Sequence, residues 1–525
     1  YLRGDKSNEV GNGTSLYRKR TYILGDIVDS RLTAVGAPDA PYSDSNNPGY
    51  SAFKTAQASR KTVVYFGAND GMMHALDGSE ATASTTAGDE LFAYVPSFLY
   101  QGPNNTPSVD GLAALANTSF IHHYYVNTTP KVFDVDFKNT YNSTKTSNDW
   151  HSILIGGLGK GGKGYYAIDV TDPSSITTET ILAGKVLWEF TDSTMGYSYG
   201  DPIVVKTKKY GWVVIFTSGY NNSDGIGRIY IVNPATGALL ETLSTGVGSS
   251  TSPSGLTYAS AFVSDYTDYT ADAIYAGDLL GNLWRFDLTP TSGSYSAPTK
   301  LATLAYNGTA QPVTTHPLIE IDPTTKARYV LVGTGQTLAA SDMTSSGVQS
   351  FYAIKDGTRS AFDTTTTHPI TTSSLTNNTD LLSGVTSSAG WYYNMPTGTN
   401  SAGLTVAERV DIDPVANSGI VAWAGNEPDG GVCSTTGNGT SHTYAVNFAT
   451  GKTVLVADDT ASPQTSVASQ SNNGLVTDLA FVNVDGTTVR LLQATDQSSL
   501  TKVPGDFSSS LSFKVLNWRE VPSPD

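Results

Sequence analysis

The chain has 525 residues, enough for three or four ordinary domains unless a repeat builds one large unit. Only 15% of residues are charged, while Gly numbers 51 and Tyr 29, which excludes a protein of long solvated helices and points to many short strands and turns. Lys and Arg total 31 against 47 Asp and Glu, a net charge of −16 with no polybasic run, which excludes a nucleic-acid or anionic-membrane surface and leaves a protein or small ligand as partner.

In chain order, YILGDIVDSRLTAVG (22–36) reads as a first strand and SAFKTAQASRK (51–61) as a short helix. A unit of strand, glycine-bearing turn and strand then recurs. It is seen in TVVYFGANDGMMHALDG (62–78), SILIGGLGKGGKGYYAIDVTDP (152–173), WVVIFTSGYNNSDGIGRIYIVNPATG (212–237) and DAIYAGDLLGNLWRFDL (272–288). It returns in RYVLVGTGQTLAASDM with QSFYAIKDG (328–357), and in IVAWAGNEPDGG with TYAVNFATGK (420–452). Strands this apolar bury both faces between neighbouring sheets, and glycine gives each hairpin its positive φ.

Six such units fit an all-β propeller of about seven blades, with long loop insertions at 38–58, 100–118, 138–149, 360–390 and 457–474. The expectation is a single domain over 1–525, its ring closed by the N-terminal segment 22–36 with VRLLQATDQ (489–497) and LSFKVLNWRE (511–520). The one cysteine, Cys433, excludes an internal disulfide framework and a cysteine-based zinc site, and reads as a free buried thiol. No apolar window of about 18 residues is present, so no segment reads as a membrane span. The chain opens on Tyr1 without a signal peptide and reads as a mature or excised piece of a longer, exported protein.

Several stretches together resemble the C-terminal domain of the PilY/PilC type IV pilus tip adhesins and biogenesis factors: YLRGD (1–5), LGDIVDS (24–30), VVYFGANDGMMHALD (63–77), ELFAYVPS (90–97), ILIGGLGKGGKGYYAIDVTDP (153–173), VLWEF (186–190), IYAGDLLGNLWRFDL (274–288), VGTG (332–335), QSFYAI (349–354) and NWRE (517–520). They stand in the family's order from end to end. The resemblance implies a modified, quinoprotein-like β-propeller at the tip of a retractile pilus, extracellular and associated with the outer membrane. There it would contact minor pilins, support assembly against retraction, and contribute to attachment to surfaces or host-cell receptors. The von Willebrand A-like region of the larger members is not in this chain.

The stretch SDYTDYTAD (264–272) is the candidate metal site. The resemblance implies a calcium loop with acidic or amide residues at positions one, three, five and nine, which fall here on Ser264, Tyr266, Asp268 and Asp272. Two of the four keep carboxylates. Asp265 lies one step out of register, and Thr270, Thr267 or backbone carbonyls could add neutral oxygens. The alternative is a turn capped by its own carboxylates.

Other motifs have plainer readings. Arg3, Gly4 and Asp5 form an integrin-type tripeptide inside a family signature. GLGKGGKG (157–164) nearly spells a phosphate loop, but Gly164 removes the required hydroxyl and a strand follows where a helix is needed, so a wide hairpin turn is expected. YNNSDG (220–225) offers oxygen ligands and is also what a turn looks like. His122 and His123 would point to opposite faces of a strand, and His74 has no second ligand at recognisable spacing. Trp188 and Trp284 read as anchors between sheets.

The reading is a binding and structural protein rather than an enzyme. The alternatives are a quinoprotein-type calcium-dependent dehydrogenase, whose blade turn GANDGMMHALD (67–77) resembles but whose cysteine pair is missing, and a passive propeller carrying an adhesive region elsewhere.

Overall fold

The computed structural model describes residues 1–82, 86–138, 148–400, 403–429, 439–484 and 488–507. Cys433 and the segment 511–520 lie outside them. Two compact units divide the chain, Tyr1–Ala302 and Thr303–Asp525. Among the described residues, seven sheets of three to five strands account for the recurring unit.

In the first unit four antiparallel sheets follow one another. The first uses Thr33–Val35, Val63–Ala68, Met72–Asp77 and Glu90–Tyr94; the second Lys131–Asp136, Trp150–Gly156, Tyr165–Asp169 and Val186–Phe190. The third uses Ile203–Thr207, Gly211–Thr217, Arg228–Val232 and Leu239–Ser244, and the fourth Ala259–Val263, Ala271–Gly277, Asn282–Asp287 and Thr299–Thr303. In the second unit Leu318–Ile321, Ala327–Gly333, Ser350–Thr358 and Gly390–Asn394 form one sheet, with Thr376–Asn377 added in parallel. Val415–Asn417, Ile420–Pro428, Gly439–Asn447 and Lys452–Thr453 form the next, and Val476–Val484, Thr488–Thr495 and Ser498–Val503 the last.

The alternation of side chains along a strand explains why these runs are apolar throughout. In Gly211–Thr217, Trp212, Val214 and Phe216 pack with Ile153, Ile155 and Tyr165 of the preceding sheet. Val213 and Ile215, on the opposite face, pack with Ile274, Trp284 and Phe286 of the following one. The same division sends Val421 and Trp423 towards Phe351 and Tyr444, and Ala422 and Ala424 towards Leu479 and Leu491. Each large apolar side chain so buried contributes about 2 kcal/mol, and exposure is confined largely to outer strands such as Leu239–Ser244. Hairpin turns use glycine where φ is positive, as at Gly71 (φ 93°) and Gly281 (φ 74°).

The N-terminal segment departs from expectation. Of 22–36 only Thr33–Val35 is strand, paired with Val63–Ala68, and Tyr22, Ile23, Leu24, Ile27 and Val28 are exposed. The reason is that its backbone finds partners in loops. Gly25 N–H donates to Asp70 Oδ2 (2.9 Å), Arg31 N–H to Thr129 Oγ1 (2.8 Å), and Ser30 Oγ accepts from Gly67 N–H (2.9 Å). LGDIVDS thereby seats on the GANDG turn, where a Cβ at Gly25 would strike the Asp70 backbone nitrogen. The C-terminal strand Thr488–Thr495 pairs with Val476–Val484 and Ser498–Val503. The helix expected over 51–61 is present as Tyr50–Ala56.

Candidate functional site

The stretch 264–272 links the first two strands of the fourth sheet and runs into the second, which begins at Ala271. Its backbone closes on itself, Asp268 N–H and Tyr269 N–H both donating to Asp265 O (3.2 and 2.8 Å), with Tyr269 in the left-handed region at φ 67°. Asp265, exposed, accepts from Thr267 N–H (2.9 Å) and Thr267 Oγ1 (2.7 Å), a carboxylate-capped turn. Tyr269 then turns inward against Trp212 and Tyr42, ring centroids 5.9 and 5.2 Å away.

Two lysines meet the remaining carboxylates. Lys206 Nζ, on the edge strand of the third sheet, donates to Asp268 Oδ1 at 2.5 Å and to Asn46 O at 3.1 Å, with only 4% of its side chain exposed. Burial pushes the Lys206 ammonium below the ordinary lysine value, and Asp268 and Asp265 pull it back up. Lys208 Nζ lies 3.5 Å from Asp272 Oδ1. Lys206, on that strand, and Lys208, just past its end at Thr207, thus each meet one of the two aspartates.

The loop carbonyls are also committed. Thr267 O accepts from Ser43 N–H (3.0 Å) and Asn47 Nδ2 (3.0 Å), Asp268 O from Asn47 Nδ2 (3.1 Å), and Tyr269 O from Lys206 N–H (3.0 Å). Two buried oxygens near this junction, Asn47 Oδ1 and Thr270 Oγ1, have no hydrogen-bond partner, and both are neutral. Ser264 is half-buried at the end of the preceding strand. Calcium takes six to eight oxygens, whereas here Asp265 Oδ1, Asp268 Oδ1 and the Asp265, Thr267, Asp268 and Tyr269 carbonyls are taken by N–H groups, a hydroxyl and an ammonium. Among the described residues no three His, Cys, Asp or Glu side chains converge on one point. The donor set of Ser264, Asp265, Asp268, Thr270 and Asp272 does not fit calcium.

The other motifs make the following contacts. Arg3 pairs with Glu179 (2.5 Å), Gly4 N–H closes a turn on Tyr1 O (2.9 Å), and Asp5 accepts from Ser7 N–H (2.8 Å), which lowers its pKa. In YNNSDG, Arg228 reaches back to both oxygens of Asp224 (2.8 and 2.5 Å). The GLGKGGKG glycines are close-packing residues: a Cβ at Gly157 would lie 2.6 Å from Ser198 O, and one at Gly161 would run into the Tyr125 carbonyl. His122 pairs with Asp26 (2.9 Å), and His74 is buried between Asp70 (3.2 Å) and Glu90 (2.6 Å). Trp188 and Trp284 are buried, donating through Nε1 to Pro234 O (2.8 Å) and Asp278 Oδ2 (2.9 Å).

Reading the sequence missed Lys206, Asn47 and a groove of about 1090 Å³ in the first unit, lined by Leu2, Ile23, Phe66, His74, Tyr94 and Leu182 among others. The signal for the lysines was in the chain: KTKK (206–209) is a basic cluster at a strand end in an acidic protein. Nothing marked Asn47 apart from its neighbours in an Asn- and Ser-rich insertion.

Comparison with known proteins places these observations. Residues 24–384 match the family profile described as the PilY1 beta-propeller domain. A type IV pilus biogenesis factor PilY1 homolog of Xylella fastidiosa is 36% identical over 366 residues, covering 68% of this chain and 26% of the relative. PilY1 of Pseudomonas aeruginosa strain PAK is 33% identical over 388 residues, covering 68% and 30%. The chain thus spans between a quarter and a third of these relatives' length. Among solved structures, the P. aeruginosa PilY1 C-terminal domain superposes with a TM-score of 0.64 at 25% identity, over 90% of this chain and 99% of that one. Among the described residues no helix is long and apolar enough to cross a membrane.

Proposed function

Because the chain belongs to the PilY1 β-propeller family, we propose that it is the propeller part of a type IV pilus biogenesis factor, exported to the cell surface and seated at the pilus tip. It works there by binding and not by catalysis. Its partners are minor pilins, which it engages to favour assembly over retraction, and surface or host-cell receptors are met through the same tip position. What carries this reading is the family match, which runs from the N-terminal LGDIVDS through the first four sheets and into the second unit. The net charge of −16 supports a neutral or basic partner surface and an association that weakens as salt rises.

The test is genetic and biochemical. Deleting the gene in its own bacterium should deplete surface pilin and abolish twitching, and the purified chain should retain minor pilins from an envelope extract at low salt. Normal piliation and twitching in the deletion strain would remove the pilus role. Loss of piliation without pilin retention would move the pilin contacts to another part of the protein.

A further inference from the structure

We infer that the Lys206 ammonium is the resident cation of the 264–272 loop, holding Asp268 and the Asn46 carbonyl together where a divalent ion would otherwise be required. The inference stands on this geometry and holds whether or not the chain acts at a pilus.

An oxygen-rich loop that brings carboxylates together must neutralise them, by bound metal, by protons or by a side-chain cation. Lys206 supplies the third. Its side chain is 4% exposed, so it is not a surface lysine that happens to swing past a carboxylate. Its backbone is fixed as well: Lys206 N–H donates to Tyr269 O (3.0 Å), and a bridge pairs Lys206 with Thr270. The ammonium is therefore delivered to the loop by the same strand edge that shapes it.

The surroundings agree. The insertion at 43–50 folds over the loop and spends the Asn47 amide and the Ser43 N–H on the Thr267 and Asp268 carbonyls, oxygens that a metal loop would turn inward. Lys208 meets Asp272. A divalent ion entering would approach an ammonium already in place and would have to detach these donors. The chain uses the same device at a second acidic loop, where Arg228 grips Asp224 of YNNSDG through two nitrogens. The loop conformation is accordingly independent of calcium concentration.

The experiment uses the full chain, stripped with chelator. Calcium is titrated calorimetrically, and melting is followed with chelator and with millimolar calcium, for the wild type, Lys206→Met, Asp268→Asn and the double variant. The expected wild-type result is no saturable heat and the same melting temperature in both solutions. Saturable calcium binding, or a melting temperature that rises with calcium, overturns the inference. Lys206→Met leaves a partly buried carboxylate without its cation and should melt about 5 °C lower, with most of that loss recovered in the double variant. Equal melting of Lys206→Met and wild type also overturns it. Should Lys206→Met not fold, Asp268→Asn carries the decision, since it strands a buried ammonium: a lower melting temperature supports the inference, and an unchanged one refutes it.

Discussion

Asp278 is a residue whose loss should be felt strongly in the first unit. It follows the strand Ala271–Gly277, is fully buried, and gathers five donors at one carboxylate. They are Leu280 N–H (3.0 Å), Asn282 N–H (2.8 Å), Asn282 Nδ2 (3.0 Å), Trp284 Nε1 (2.9 Å) and Ser254 Oγ (3.2 Å). Burial pushes its pKa above the ordinary carboxylate value, against the pull of Trp284, Asn282 and Ser254, so its charge is held at a cost that those donors offset only in part. Asp278→Ala removes every acceptor at once and strands the Trp284 indole and the Asn282 amide away from water. At about 1 to 3 kcal/mol for each stranded donor, the loss comes to about 4 kcal/mol, or a fall in melting temperature of about 6 °C for a unit of this size. Asp278→Asn keeps the shape and one oxygen but turns an NH₂ towards other donors, so it should cost roughly half as much. Urea unfolding followed by tryptophan fluorescence measures both. An Asp278→Ala protein within about 0.5 kcal/mol of wild type would refute the assignment of this aspartate as the knot of the hairpin.

Three further outcomes follow from local geometry. His442 Nδ1 lies 2.5 Å from the buried Glu408, which raises the histidine pKa above 6.5. The stabilisation is complete below the ordinary histidine value and is lost as pH rises through the raised one, so stability should fall as pH climbs above that ordinary value, and His442→Gln should flatten that fall when stability is measured by urea titration. Glu320 is pushed up to about 6 by burial alone. Its contribution is present below 4.5 and lost as pH rises through 6, so Glu320→Gln should raise stability at about pH 8 by roughly 1 to 2 kcal/mol and change nothing near pH 4. Gly161→Ala drives a methyl into the Tyr125 carbonyl and should destabilise by about 1 to 3 kcal/mol, seen as a lower melting temperature with Lys160 and Lys163 untouched.

The strands were legible because they carry a double demand. Trp212, Val213, Val214, Ile215 and Phe216 all face apolar neighbours, which writes a continuous apolar run into the chain and leaves glycine to mark each turn. The segment 22–36 shows the limit of that rule. Its apolar residues look like strand, but Asp70, Asn127 and Thr129 accept its backbone N–H groups from loops, and only Thr33–Val35 joins a sheet. Propensity is decided by which hydrogen-bond partners the fold brings near, and those partners come from positions as distant as Asn127 and Thr129.

The aspartate loop was legible as a loop and illegible as chemistry for the same reason. Three carboxylates in nine residues announce a charge to be neutralised, and sequence spacing describes only what those nine residues offer one another. The neutralising group stands 62 positions away at Lys206, and the amide that takes the loop carbonyls stands 220 positions away at Asn47. A metal loop and a lysine-filled loop can therefore share the same local spelling. They differ in which way the carbonyls point, towards a central ion or towards N–H donors, and that direction is set by the third sheet and the 43–50 insertion rather than by the loop itself.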